Sequence, residues 1–237
     1  MQKEEVTTIS EIAYDVNPHL GYTVFIYENG EYVPYLVLTN NYNSNTLLLR
    51  KYLLDELMPY YPNPTGHAGF ASYYGDSPLG HYLNDEFFYY FSINLQGIIV
   101  NSIIEITARH SLRSLANNDI ETIERRVFLL SRHETGGSSH RRFMMEGARF
   151  NYFSTQERFL ARRLGGEPVS WWIRTPSTGG TPGEAGVVTH LGVHTTASVY
   201  TILGATLLGV RPAFCLPTDT PVRQGELDGE LVFFIDY

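Results

Sequence analysis

The side chains able to do chemistry are few and scattered. Cys215 is the one cysteine, which excludes an internal disulfide framework and a cysteine-built metal site. Its setting, "AFCLP", is apolar and fits a buried, inert thiol better than a nucleophile. Eight histidines run from His19 to His194. His190 and His194 stand four apart, but a glycine lies between them and the stretch reads as strand and turn. A zinc pair wants helical spacing and a third ligand, so no metal is expected. "STGGTPGEAG" is glycine-rich, yet neither Lys-Ser nor Lys-Thr nor a helical pattern follows it. It reads as a long surface loop, not a phosphate cradle. Arg141, Arg142, Arg149, Arg158, Arg162 and Arg163 form a basic cluster that could hold an anionic ligand. The plainer reading is a solvated face or a contact with an acidic neighbour. No cofactor is expected.

The stretch "SWWIRTPSTGG" (170–180) stands out instead. It holds both tryptophans, Trp171 and Trp172, followed by Arg174 and a loop of small polar residues. Alternation along a strand sends the two rings to opposite faces, so each can anchor a different layer. The stretch reads as the corner of a core with a variable surface beyond it.

The elements that would position these residues are short. "YTVFIYENGEYVPYLVLTN" has two apolar runs around Asn29-Gly30, a strong hairpin signal. "TLLLRKYLLDEL" begins as a strand and then reads as helical. The segment 58–75, rich in proline, glycine and tyrosine, reads as a long ordered loop. "SPLGHYLNDEFFYYFS" predicts the clearest helix. Ser77 can cap it, Pro78 suits its first turn, and Leu79, Tyr82, Leu83, Phe87, Tyr90 and Phe91 make one apolar stripe. A short segment and a strand follow in "INLQGIIVNSIIEITA". "LRSLANNDIETIERR" reads as a polar excursion, "VFLLS" as a buried strand and "TQERFLARRLGG" as a basic amphipathic helix. The last third alternates short strands with glycines. "TDTPVRQGELDG" reads as a polar connector, and "ELVFFIDY" as a final strand.

At 237 residues the chain is long enough for one large core. A net charge of −8 supplies no basic footprint, which argues against nucleic-acid partners. No apolar run reaches the roughly 20 residues of a membrane helix, so no membrane insertion is expected. The start, "MQKEEVTTISEIA", has no signal-peptide core, so synthesis in a cytoplasm without export by the usual signal is expected. The 17 tyrosines and 13 phenylalanines suit half-buried strands and contact surfaces.

Five stretches in order, "TLLLRKYLL", "YYGDSPLGHYLNDEFF", "VFLLSRHE", "SWWIRTP" and "GVRPAFCLP", resemble a family of uncharacterised domains. That family is common in tailed bacteriophages and in Firmicutes and other gut bacteria. The resemblance spans about residues 20 to 217. Its "WWLRSP…GVRPA" pattern is similar to the end of the C-type-lectin-like fold. The fold implied is therefore α+β and C-type-lectin-like, with short twisted strands, one clear amphipathic helix and long ordered loops. Residues 1–20 would be an N-terminal arm, 21–217 the domain and 218–237 a C-terminal extension strand.

In such a fold the tryptophan strand runs through the core, and Arg174 and Arg211 need partners there. Glu134, closing "FLLSRHE", is the natural partner for one of them, Arg174 or Arg211, and the three are expected to form a structural clasp. Formylglycine-type catalysis needs a reactive cysteine pair or a copper site, and one cysteine does not supply it. Glu167-Pro168-Val169 half-matches the calcium loop of sugar-binding C-type lectins. Its partner strand is missing, and no oxygen-rich cluster follows. No catalytic residue is assigned. Recognition remains, with Thr195, Ser198 and Tyr200 facing outward from the 177–206 surface towards a receptor or a neighbouring subunit. The expected function is that of a bacteriophage virion protein in the tail tip, fibre, baseplate or head decoration. It would serve assembly and host-surface attachment, with other virion proteins, copies of itself or a host-surface ligand as partners. The alternatives are an enzyme of unknown chemistry on the same fold, or a bacterial surface-binding module.

Overall fold

A computed structural model describes residues 7–19, 22–62, 70–114, 119–138, 140–179, 183–201, 204–227 and 229–235, with 200, 201, 204 and 230 described by their backbone alone. The chain opens with a short strand, β1 (Thr7–Thr8), and a 3-10 turn that buries Ile9 and Ile12. β2 (Thr23–Glu28) and β3 (Glu31–Tyr42) form the expected hairpin. Asn29 and Gly30 both take positive φ, 49° and 92°, as a tight two-residue turn requires. Asn43 and Ser44, also at positive φ, turn β3 into β4 (Asn45–Arg50). A short strand, β5 (Met58–Pro59), follows.

Helix α1 (Pro78–Asp85) starts as predicted: Ser77 Oγ accepts from Gly80 N at 3.0 Å. It stops earlier than its sequence pattern implies. Glu86 leaves the helical region, and Phe87–Tyr90 tightens into a 3-10 turn. That turn buries the adjacent rings of Phe87 and Phe88 and leaves Tyr90 exposed. Asn84, near the end of α1, grips the next strand region: its amide donates to Val127 O at 2.8 Å and accepts from Arg126 N at 2.9 Å.

After α2 (Ile93–Ile98), β6 (Ser102–Thr107) pairs with β7 (Ile120–Arg125), so the polar excursion is in fact a strand. Its "IETIER" pattern belongs to a half-exposed ribbon, and the acidic residues hide the alternation. Buried β8 (Val127–Phe128) follows. The basic stretch forms one helical turn only, α3 (Gln156–Phe159). Its continuation is extended because its backbone is used elsewhere: Leu53 N donates to Arg162 O, and Val169 N to Ala161 O. Tertiary pairing overrides helix propensity here.

β9 (Trp171–Pro176), β10 (Glu184–Val188) and β11 (His194–Ser198) form a three-stranded antiparallel sheet. Then come β12 (Tyr200–Thr201), β13 (Gly204–Ala205), β14 (Leu207–Leu208) and β15 (Ala213–Leu216). The supposed polar connector is a full strand, β16 (Pro221–Leu227), and β17 (Glu230–Ile235) closes the chain. The main sheet has eight strands in the order β1-β16-β17-β2-β3-β4-β15-β8. β17 runs parallel to β2, with Phe233 opposite Val24. The terminal hairpin therefore builds the main sheet and is no appendage to it. The protein is α+β, with strands predominating over short helices.

Candidate functional site

β9 alternates strictly. Trp172 joins the main core, where its ring meets Tyr60 edge-on at 5.4 Å and its Nε1 donates to Met58 O at 2.9 Å. Trp171 and Ile173 face the other way, into a small cluster with Leu53, Ala161 and Val188. Both indoles are fully buried. The strand is gripped from the side opposite β10: Trp172 N donates to Gly209 O and Arg174 N to Leu130 O. Across from it, Gly186 sits at a bulge in the β9–β10 pairing, where a Cβ would meet Ile173 Cγ1 and Thr175 O at 2.7 Å.

Arg174 is 0% exposed and forks onto Glu134: Nη1 to Oε2 at 2.6 Å and Nη2 to Oε1 at 2.8 Å. Its Nε donates to Glu105 O at 2.9 Å and its Nη1 also to Leu129 O at 2.8 Å. Glu134 also accepts from Tyr42 Oη at 2.9 Å and Ser131 N at 2.8 Å. A second carboxylate, Glu146, lies 3.7 Å from Arg174 Nε. Glu146 takes Thr107 N and Oγ1 at 2.7 and 2.6 Å, and Thr175 Oγ1 at 2.6 Å. Burial works against the Arg174 charge, but Glu134 and Tyr42 more than restore it, and its pKa is raised. Burial pushes the Glu146 carboxyl up, with Arg174 and the two threonines opposing. Gly147 makes room for the assembly: its φ is +71°, and a Cβ there would run into the Glu134 carboxylate.

Glu134 and Arg174 thus form a clasp, and Arg211 is not part of it. Arg211 sits over the Trp171 ring, 5.5 Å from its centroid, and donates to Arg50 O at 2.9 Å and Lys51 O at 3.3 Å. Backbone carbonyls hold this guanidinium, whereas the sequence reading placed it in one clasp with Arg174 and Glu134. Glu146, Thr107 and Thr175 escaped sequence reasoning. Only "EG" at 146–147 and the threonine inside "WWIRTP" marked them, and neither signal names a partner.

On the surface, Thr195 and Ser198 are exposed on β11. Among the described residues the outer edge of β11 pairs with no other strand. The adjoining turn exposes Leu191 and Val193. The Tyr200 side chain lies outside the described residues. Of the tyrosines in "MPYYPNP", Tyr60 is fully buried, so it offers no contact surface. His194, also on β11, bonds Thr135 Oγ1 at 2.9 Å, and burial together with Arg132 and Arg149 lowers its pKa to about 4. It is a neutral structural imidazole at pH 7. Among the described residues no group of three His, Cys, Asp or Glu could hold a metal ion. Cys215 is buried, which pushes its thiol up to about 12. The basic residues do not converge on one ligand. Arg158 packs over Tyr14 and Tyr152, and Arg163 donates to Asp55 O at 3.0 Å. No described helix is long and apolar enough to cross a membrane.

These features define an α+β domain whose charged centre is sealed and whose small sheet ends, among the described residues, at β11. Residues 43–218 match the domain of unknown function DUF6273, and the chain belongs to that family. No curated protein and no solved structure matches it.

Proposed function

We propose that this protein is a recognition and assembly module on a C-type-lectin-like fold, acting by contact and not by turnover. The observation that carries the reading is the division between interior and edge. Glu134, Arg174 and Glu146, whose side-chain types would suit catalysis, are all 0% exposed, and protein partners hold their polar atoms. No substrate reaches them. β11, by contrast, presents Thr195 and Ser198 beside the exposed Leu191 and Val193. An open edge is a template for strand addition by another chain, and small hydroxyl side chains adapt to varied partners.

The setting we propose is a bacteriophage virion: tail tip, fibre, baseplate or head decoration. Partners there would be other virion proteins, further copies of this chain or a host-surface ligand. The ordered "TLLLRKYLL" to "GVRPAFCLP" motifs support this setting. The test substitutes Thr195→Arg and Ser198→Arg together, placing bulk and charge on the edge. Particle assembly or host adsorption should fall while the melting temperature stays within a degree or two. Unchanged assembly and adsorption would remove β11 from the function.

A further inference from the structure

The pairing of β11 with β10 fixes which way its backbone groups point. Val199 N donates to Gly183 O, and Thr189 N donates to Val193 O. Both bonds continue the β10–β11 register, in which Val187 faces Thr195 and Ala185 faces Ala197. Antiparallel pairs alternate between hydrogen-bonded and non-hydrogen-bonded positions. Thr195 and Ala197 therefore turn their N–H and C=O groups towards β10, in phase with Val193 and Val199. His194 and Thr196 turn theirs outward, away from the sheet. Neither finds a backbone partner among the described residues.

Sheet edges are commonly guarded by charge, proline or a bulge. β11 has none of these: it reads "HTTAS", and its register to β10 is unbroken. From Thr189 to Val199 the chain holds no Asp, Glu, Lys or Arg. His194 turns its ring to Thr135 and Phe159 and is neutral at pH 7. On a chain of net charge −8, a second copy can approach this stretch without like charges meeting. β7, which also ends a small sheet, carries Glu121, Glu124 and Arg125 and offers no such approach. Beside the β11 edge, Val193 is 53% and Leu191 61% exposed, apolar surface that a second copy would cover.

We propose that β11 pairs with itself: two copies of this chain join antiparallel β11 strands about a two-fold axis at Thr195, and the two small sheets become one. The proposal rests on the reading of β11 as the recognition edge and names its partner. The outward groups choose the register. An axis at Thr195 sets His194 of each copy opposite Thr196 of the other, and each such pair exchanges two N–H···O=C bonds. Thr195 then faces its own symmetry mate, and Val193 faces Ala197. A Thr–Thr pair of this kind is favourable across strands. Pairing over so few residues makes a small interface, so the dimer is reversible.

Disulfide trapping in the full chain tests this. Cys215 is buried, so an added surface thiol is the reactive one. Residues facing each other in a non-hydrogen-bonded pair have Cα atoms about 4.5 Å apart, within disulfide reach. The proposed register sets the two copies of Thr196, and those of Ser198, beyond the roughly 7 Å limit. With copper phenanthroline as oxidant, Thr195→Cys should give at least tenfold more linked dimer than Thr196→Cys or Ser198→Cys. Light scattering of the unsubstituted chain should show mass rising with concentration towards that of a dimer. Thr195→Arg sets like charges opposite each other and should hold the chain monomeric. A chain monomeric at every concentration, no linked dimer from Thr195→Cys, or equal linkage at all three positions would overturn the proposal. If the Thr195→Arg, Ser198→Arg double variant still loses assembly or adsorption while the unsubstituted chain is monomeric, a different partner occupies the edge. The recognition reading then survives, and self-pairing fails.

Discussion

Arg174, Glu134 and Glu146 put one guanidinium and two carboxyl groups into a space that water does not enter. A buried pair of this kind adds little net stability compared with apolar residues of the same volume. Removing one partner is different, because it strands a charge at a cost of about 3–5 kcal/mol. The third group sets a pH dependence. The Glu146 carboxyl is held above its ordinary value by burial. As pH rises, the unfolded chain therefore loses this proton before the folded chain does. Glu146 contributes most stability where both states are protonated, and that contribution is lost as pH rises through the folded-state value. Glu146→Gln keeps the shape without the charge. Denaturant titrations from pH 4 to 7 should show the Gln variant gaining on the wild type as pH rises. Parallel stability curves would show that Glu146 does not carry a raised pKa. From sequence Glu134 could be paired with one of two arginines, Arg174 or Arg211, because all three sit in short apolar runs that must be buried. Arg211 sits in an equally apolar run, but carbonyl acceptors on Arg50 and Lys51 leave no trace in side-chain composition. Glu146 was illegible for the same reason: its partners are a backbone amide and two threonines.

At the scale of elements, β9 joins two cores that would otherwise be separate. Trp172 belongs to the main one, while Trp171 closes the small cluster over Leu53 and Ala161. Trp171→Ala should cost about 3–5 kcal/mol, the range for large aromatic truncations. It also removes the ring beneath Arg211 and the Nε1 bond to Phe159 O at 3.1 Å. Urea denaturation followed by circular dichroism measures it, and an unchanged midpoint would show that the small cluster bears no part of the fold. The β2–β3 hairpin, the start of α1 and β9 itself were legible, since each rests on local chemistry: Asn29-Gly30, the Ser77 cap and strict alternation. The end of α1, the shortness of α3, and strands β7 and β16 were not. Each of these depends on a partner far along the chain. "TQERFLARRLGG" has a helical period, yet Leu53 and Val169 take its backbone. "TPVRQGEL" looks like a linker until β17 lies beside it.

The whole molecule is organised by long-range pairing. The family match spans 43–218, yet β1, β2, β3, β16 and β17 lie largely or wholly outside it and make up most of the main sheet. The two ends of the described chain are therefore joined through β17 and β2, and truncation at residue 217 would strip the two strands that lie between β1 and β2. A domain built this way, with its charged centre sealed and the outer edge of β11 paired with no strand among the described residues, would suit the contact role we propose. Specific, stable interfaces bury about 1,200–2,000 Å² in total, and such an interface keeps a protein in its assembly at fixed stoichiometry. Quantitative mass spectrometry of purified phage particles, with light scattering of the isolated chain alongside, tests this most directly. The account predicts the chain in particles at a constant copy number relative to the major structural proteins. A strictly monomeric protein, absent from particles and turning over a small molecule, would contradict it.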